Sequence, residues 1–150
     1  MTDIIIYTDG ACSGNPGVGG WGVVVIKKTD IEKFNGYEKD TTNNRMELMA
    51  AIEGIAKQKI GEKITLYTDS KYVKDGITTW VINWRKNNWL TSAKKPVKNK
   101  DLWQRLDLLC GKYEVKWKWV RAHQEDLSDE TMYNNMADKL ARDGIEKWRD

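Results

Sequence analysis

The sequence predicts an α/β fold, a mixed sheet with helices packed on it. Three observations lead there. Apolar, β-branched runs fill the first forty residues, helical periodicity sets in near Asn44, and strand and helix patterns then alternate to the end of the chain. At 150 residues the chain has the size of one domain, and it contains no linker, internal repeat or low-complexity tract. One domain over 1–150 is therefore expected.

The run Ile4-Ile5-Ile6-Tyr7 reads as a buried strand that closes at the Asp9-Gly10 turn signal. Trp21 to Lys27 is a second, Val-rich strand, and Lys33 to Glu38 a third, with Thr29-Asp30 as the turn between them. From Asn44 the pattern changes. Leu48, Ala51, Ile52 and Ile55 recur at i, i+3, i+4 and i+7, which predicts an amphipathic helix ending near Gly61. Lys63 to Thr68 is a further strand closing at Asp69-Ser70, and a Ser or Asp cap opens a short helix through Tyr72, Val73 and Ile77. The stretch from Trp80 through Lys86 is helical, whereas Thr91 to Asn99, with Pro96, is an exposed loop. Leu102, Leu106 and Leu109 resume a helical face. Val115, Trp117 and Trp119 alternate with Lys116 and Lys118 as in a half-exposed strand, and Met136, Ala137, Leu140, Ala141 and Ile145 mark a last helix.

Composition excludes several classes. No apolar run approaches the roughly 18 to 20 residues that span a bilayer, and Met1-Thr2-Asp3 has no signal-peptide character, so a cytoplasmic protein without a membrane partner is expected. Cys12 and Cys110 lie far apart without metal or redox spacing and read as reduced structural thiols, a disulfide being the minor alternative. The net charge of +3 proves no nucleic-acid partner, but its distribution is uneven. Between Gly76 and Lys100 stand Arg85, Lys86, Lys94, Lys95, Lys98 and Lys100 with no acid, whereas Gln124 to Thr131 carries Glu125, Asp126, Asp129 and Glu130 with no base.

Two aspartates, Asp9 and Asp69, follow apolar strands in the same Tyr-Thr-Asp setting. Glu47 lies near the start of the first long helix, offset from its apolar face, and Asp138 is read as close to the start of the last helix. Singly each is an ordinary turn or helix-surface acid. Together they suggest converging carboxylates, which repel one another unless they take up cations or protons. Oxygen ligands favour Mg2+ or Mn2+. With one histidine and no clustered cysteines, a zinc site is disfavoured, and no GxSxG nucleophile elbow is present.

The strings YTDGACSGNPG (Tyr7 to Gly17), TTNNRMELMAA (Thr41 to Ala51), YTDSKYV (Tyr67 to Val73), KKPVKNKDLWQRLD (Lys94 to Asp107) and WVRAH (Trp119 to His123) occur in one order along nearly the whole chain. In these the chain resembles bacterial type 1 ribonuclease H. The resemblance implies a ribonuclease H-like fold, a mixed five-stranded sheet in which an antiparallel meander is followed by parallel strands. It implies an endoribonuclease acting on the RNA strand of an RNA:DNA hybrid by a two-metal-ion mechanism, leaving 5′-phosphate and 3′-hydroxyl ends. Asp9, Glu47, Asp69 and Asp138 would hold two Mg2+ ions, with Mn2+ as a substitute, and His123 would assist proton transfer or product departure.

Gly10, Cys12, Asn15, Thr42, Asn43 and Asn44 lie in matched motifs whose counterparts contact the two strands. Short amides, hydroxyls and exposed backbone suit 2′-hydroxyls and phosphates without reading bases. Trp80, Trp84, Arg85, Lys86, Trp89, Lys94, Lys95 and Lys98 resemble the family's basic protrusion and would contact DNA phosphates. Lys71 stands where the family often has an amide and would add a phosphate contact or shift cleavage preference. The segment from His123 to Asp138 departs from the pattern: it reads as a longer, acidic loop that would either repel substrate or attract metal. A monomer is expected. The rivals are a non-catalytic hybrid-binding module, which would gain nothing from acids beside phosphate, and a resolvase or transposase-type nuclease, which the basic segment and TTNNRMEL fit poorly.

Overall fold

The computed structural model describes residues 3–149. Met1 and Thr2, part of the segment expected to lack signal-peptide character, and Asp150 lie outside the described residues. Five strands, β1 (Ile4–Gly14), β2 (Gly17–Lys27), β3 (Asp30–Thr41), β4 (Lys63–Thr68) and β5 (Glu114–Trp119), form one sheet in the order β3-β2-β1-β4-β5. The first three pair antiparallel, and β4 and β5 add in parallel beyond β1. This is the mixed sheet that the sequence predicts.

β1 runs five residues past Asp9. The Asp-Gly pair is a turn signal only locally; here Gly10 to Gly14 finds the glycine-rich start of β2 as a partner, from Gly10 opposite Trp21 to Gly14 opposite Gly17, so the ladder continues. β3 is likewise longer than Lys33 to Glu38. Its hairpin turns at Lys28-Thr29, one residue earlier than Thr29-Asp30, and pairing begins at once with Lys27 opposite Asp30.

Helix α1 (Asn43–Ala56) stops short of Gly61, because tertiary bonds claim the backbone that follows: Tyr113 Oη donates to the Gln58 carbonyl at 2.8 Å, and Gly61 N donates to the Lys112 carbonyl at 2.9 Å. α2 (Lys71–Asp75) passes through a π-helical turn (Gly76–Trp80) into α3 (Val81–Lys86), making one continuous helical arm. In the widened turn the Val81 N–H reaches back five residues to the Gly76 carbonyl. α4 (Lys100–Cys110) precedes β5.

α5 (Asp129–Arg149) corrects the sequence reading. It begins nine residues before Asp138, which sits mid-helix and not near the start. Ser128 Oγ accepts the Thr131 N–H at 3.2 Å, and Asp129 and Glu130 occupy the first turn, where acids favour the helix dipole. More than half of the expected acidic loop, from Asp129 to Asp138, is thus helix, and the true connection runs from Val120 to Ser128.

Both faces of the central strands are covered, which explains the unbroken apolar run at Ile4 to Tyr7. Ile4 and Ile6 join Leu48, Ile52, Ile55, Leu66, Trp103 and Leu106 on the face under α1 and α4. Tyr7 and Val24 meet Ala137, Leu140 and Tyr133 of α5 on the other. Close approach of α5 requires Gly22, where a Cβ would stand 2.5 Å from the Ala137 carbonyl oxygen.

Candidate active site

The Tyr-Thr-Asp repeat acquires its meaning from sheet register. β1 and β4 are parallel neighbours with Tyr7 opposite Tyr67 and Thr8 opposite Thr68, so Asp9 in β1 and Asp69, the residue just past β4, come next side by side. The two tyrosine rings stack at 4.6 Å with planes 9° apart, which fixes that register from the side-chain side. Strands about 4.8 Å apart then deliver two carboxylates to the same edge.

The third carboxylate comes from α1. Thr42 Oγ1 accepts the Arg45 N–H and caps the helix, Asn15 Oδ1 accepts the Asn43 N–H, and Arg45 makes a bidentate pair with Asp101 at 2.8 and 3.0 Å. These anchors set the helix start against β1. Glu47 then lies one turn in, where its Oε1 accepts the Gly10 N–H at 3.0 Å. Only glycine fits at Gly10, since a Cβ would be 2.4 Å from the Glu47 nitrogen.

One oxygen from each of Asp9, Glu47 and Asp69 lies within 4.8 Å of the others. Asp9 is 3% and Glu47 6% exposed, so little solvent screens them. Burial first, then the charges of Glu47 and Asp69, drives the Asp9 carboxyl far above its ordinary range; burial followed by the Asp69 charge does the same to Glu47, and burial raises Asp69. The cluster cannot hold its full negative charge unaided. An all-oxygen set with no cysteine or second histidine suits a hard divalent cation.

Asp138 and His123 line the same cleft, of about 630 Å³, together with Gly10, Cys12 and Asn43. Asp138 approaches from α5 but stands outside the 4.8 Å cluster, and its Oδ2 accepts from Arg142 Nε at 3.1 Å. His123 is exposed on the loop after β5, with φ at 55°. The structure therefore gathers all five residues singled out for chemistry. It also adds Arg142, which the sequence reading missed although Asp138 and Arg142 are spaced i, i+4 on one helix face. None of the acids Glu125, Asp126, Asp129 and Glu130 belongs to the cleft lining among the described residues.

The remaining residues fall in two groups. Cys12 Sγ donates to the Thr41 carbonyl at 3.5 Å, which holds β1 against the end of β3, and Asn44 is exposed beside the α1 start. Lys71 Nζ lies 4.7 Å over the Trp119 ring, whose Nε1 donates to the Asp69 carbonyl at 3.0 Å. The tryptophans of the basic segment pack one arm: Trp84 lies 5.4 Å from the buried Trp103 and 6.2 Å from Trp89, and Trp80 lies 5.8 Å from Tyr72. Arg85 pairs with Asp107 at 3.2 Å, whereas Lys86, Lys94, Lys95 and Lys98 are exposed. No helix among the described residues is long and apolar enough to cross a membrane.

A mixed sheet with buried carboxylates meeting at its strand ends defines an α/β protein whose acidic centre suits metal-assisted hydrolysis. Comparison with known proteins narrows the class. The family model described as RNase H matches residues 1–146. A ribonuclease H of Rhodopseudomonas palustris is 54% identical over 150 residues, covering 99% of this chain and 96% of that one. A ribonuclease H of Francisella philomiragia is 52% identical over 143 residues, covering 95% and 91%. Among solved structures, LC9-RNase H1, a type 1 RNase H with the type 2 active-site motif, superposes with a TM-score of 0.82 at 30% identity, covering 97% of this chain and 73% of that one. The chain belongs to the ribonuclease H family: it is a hydrolase of the class that cleaves the RNA strand of RNA:DNA hybrids.

Proposed function

We propose that the protein is an endoribonuclease that hydrolyses the RNA strand by a two-metal-ion mechanism with Mg2+, leaving 5′-phosphate and 3′-hydroxyl ends. The observation that carries the reading is the trio Asp9, Glu47 and Asp69, buried yet within 4.8 Å of one another. Three crowded acids would cost a fold stability for no gain unless cations offset them. Asp9, Glu47 and Asp69 would hold the ions, and Asp138, which lines the same cleft, would complete the second position. When bound, Mg2+ or Mn2+ supplies Lewis-acid activation of water and charge neutralisation at phosphorus.

The chain's own groups position the reactants. His123, exposed in the cleft lining, would take a proton from the entering water or pass one to the departing strand. Gly10, Cys12, Asn15, Thr42, Asn43 and Asn44 line or border the cleft on the β1 and α1 side, where backbone and amides suit 2′-hydroxyls of the RNA strand. Lys71, Trp80, Trp84, Arg85, Lys86, Trp89, Lys94, Lys95 and Lys98 form or flank the basic arm for the DNA strand, with the indoles building the arm and the exposed lysines meeting phosphates. The protein would act as a monomeric, single catalytic domain over 1–150 in the cytoplasm.

The test uses end-labelled RNA:DNA, RNA:RNA and DNA:DNA duplexes, with and without Mg2+, on the wild type and Asp9→Asn. Cleavage of RNA in the hybrid alone, dependent on Mg2+ and abolished in the variant, is the expected outcome, with ends mapped by phosphatase and polymerase sensitivity. Tight hybrid binding without turnover would favour the non-catalytic rival.

A further inference from the structure

We infer that Arg142 couples substrate binding to cation uptake at Asp138. The inference rests on the reading of Asp138 as a cation ligand and extends it. Arg142 is the only lysine or arginine in the cleft lining among the described residues. Its Nε donates to Asp138 Oδ2 at 3.1 Å, one helical turn along α5, and this is the one hydrogen bond its guanidinium makes among the described residues. The Asp138 side chain is 19% exposed and that of Arg142 63%, so the aspartate is partly withdrawn from solvent while the arginine, also in the cleft lining, is largely open to it. Lys139, paired with Asp143 at 2.8 Å, is not part of the cleft lining.

The consequence follows from charge. Asp138 is the one acid of the four that lies outside the 4.8 Å trio, and it is the one already paired with a cation of the chain. A divalent ion arriving between the trio and Asp138 must displace the guanidinium or sit beside its positive charge. A guanidinium presents a planar fork that matches phosphate oxygens, and a phosphate entering the cleft offers Arg142 a second partner. Phosphate thus draws Arg142 from Asp138 and frees the carboxylate for the ion, and by linkage the ion raises the affinity for phosphate through the same exchange. Arg142 is in this sense a positioning residue for Asp138 and a phosphate contact once the hybrid is bound.

The effect separates into two binding measurements made without turnover. Mn2+ affinity of the free protein is read by electron paramagnetic resonance of unbound Mn2+, and hybrid affinity is read by fluorescence anisotropy in EDTA. Arg142→Gln should bind Mn2+ about threefold to tenfold more tightly, and the hybrid about threefold to tenfold more weakly, with a shallower salt dependence. Misfolding would weaken both, so opposite signs mark the coupling. Arg142→Lys should keep most of the hybrid affinity. In Asp138→Asn, adding Arg142→Gln should leave Mn2+ affinity unchanged. If the wild type binds Mn2+ and Asp9→Asn weakens it, but Arg142→Gln leaves Mn2+ affinity unaltered or reduced, the coupling is wrong and the reading of the site stands. A wild type that takes up no Mn2+ would overturn both.

Discussion

Replacing Asp9 by Asn should abolish cleavage while making the metal-free protein more stable. Two carboxylates no more than 4.8 Å apart repel by at least about 3.5 kcal/mol at an effective dielectric of 20. The trio can escape by holding protons, but keeping one on a carboxyl of ordinary pKa near 4 costs about 4 kcal/mol at pH 7. Because Glu47 and Asp69 still crowd each other in the variant, only part is recovered, about 2 kcal/mol, or about 4 to 8 °C in Tm for a chain of this size. The sign of the pH dependence follows. The folded-state pKa values are raised, so the native protein retains protons that the unfolded chain releases above about pH 4. Stability of the metal-free wild type is therefore greatest below about pH 4, as far as these groups decide it, and falls as pH rises; Asp9→Asn should flatten that fall. Thermal melts in EDTA between pH 5 and 8, repeated in 10-fold steps of Mg2+, read all of this. Mg2+ should raise the wild-type Tm and narrow or reverse the gap. A variant that melts at or below the wild type in EDTA across that range would refute the argument.

Neutralising Lys94 and Lys95, both exposed on the arm, should weaken hybrid binding and lower the slope of log Kd against log salt by about 1 to 2, with the rate at saturating substrate little changed. A large loss of that rate at unchanged affinity would contradict the assignment. His123→Ala should slow single-turnover cleavage or product release at least about tenfold, leaving hybrid affinity in EDTA within about twofold, as gel-quench kinetics and anisotropy would show. Ser128→Ala removes the side-chain acceptor for the Thr131 N–H at the start of α5 and should cost about 1 kcal/mol, visible as a Tm lower by about 2 to 4 °C with hybrid binding intact.

Much of this site was legible because its signals are local and repeated. Tyr-Thr-Asp occurs twice after apolar strands, and parallel register turns that repetition into proximity. What escaped the sequence depended on partners remote along the chain. Asp9-Gly10 resembles a turn until β2 supplies a ladder for Gly10 to Gly14. The acids ahead of Thr131 resemble loop because their helix starts before its apolar face does, and only the Ser128 cap and the dipole argument identify Asp129 as helical. Glu47 was expected to stand clear of the apolar face, yet the α1 residues from Met46 to Leu48 are all buried, since β1 and the Gly10 N–H draw that side of the helix in as well. Arg142 was hidden by its ordinariness: an i, i+4 Asp-Arg pair is a common surface feature, and only the cleft gives it significance.

The account stands on divalent cations seated among Asp9, Glu47 and Asp69. Crystals soaked in Mn2+ and measured at the manganese absorption edge examine that directly. An anomalous peak within coordinating distance of those three carboxylates, strengthened near Asp138 when hybrid is bound and lost in Asp9→Asn, is the expected result. Peaks confined to the acids around Asp126 and Glu130, with none at the trio, would contradict it.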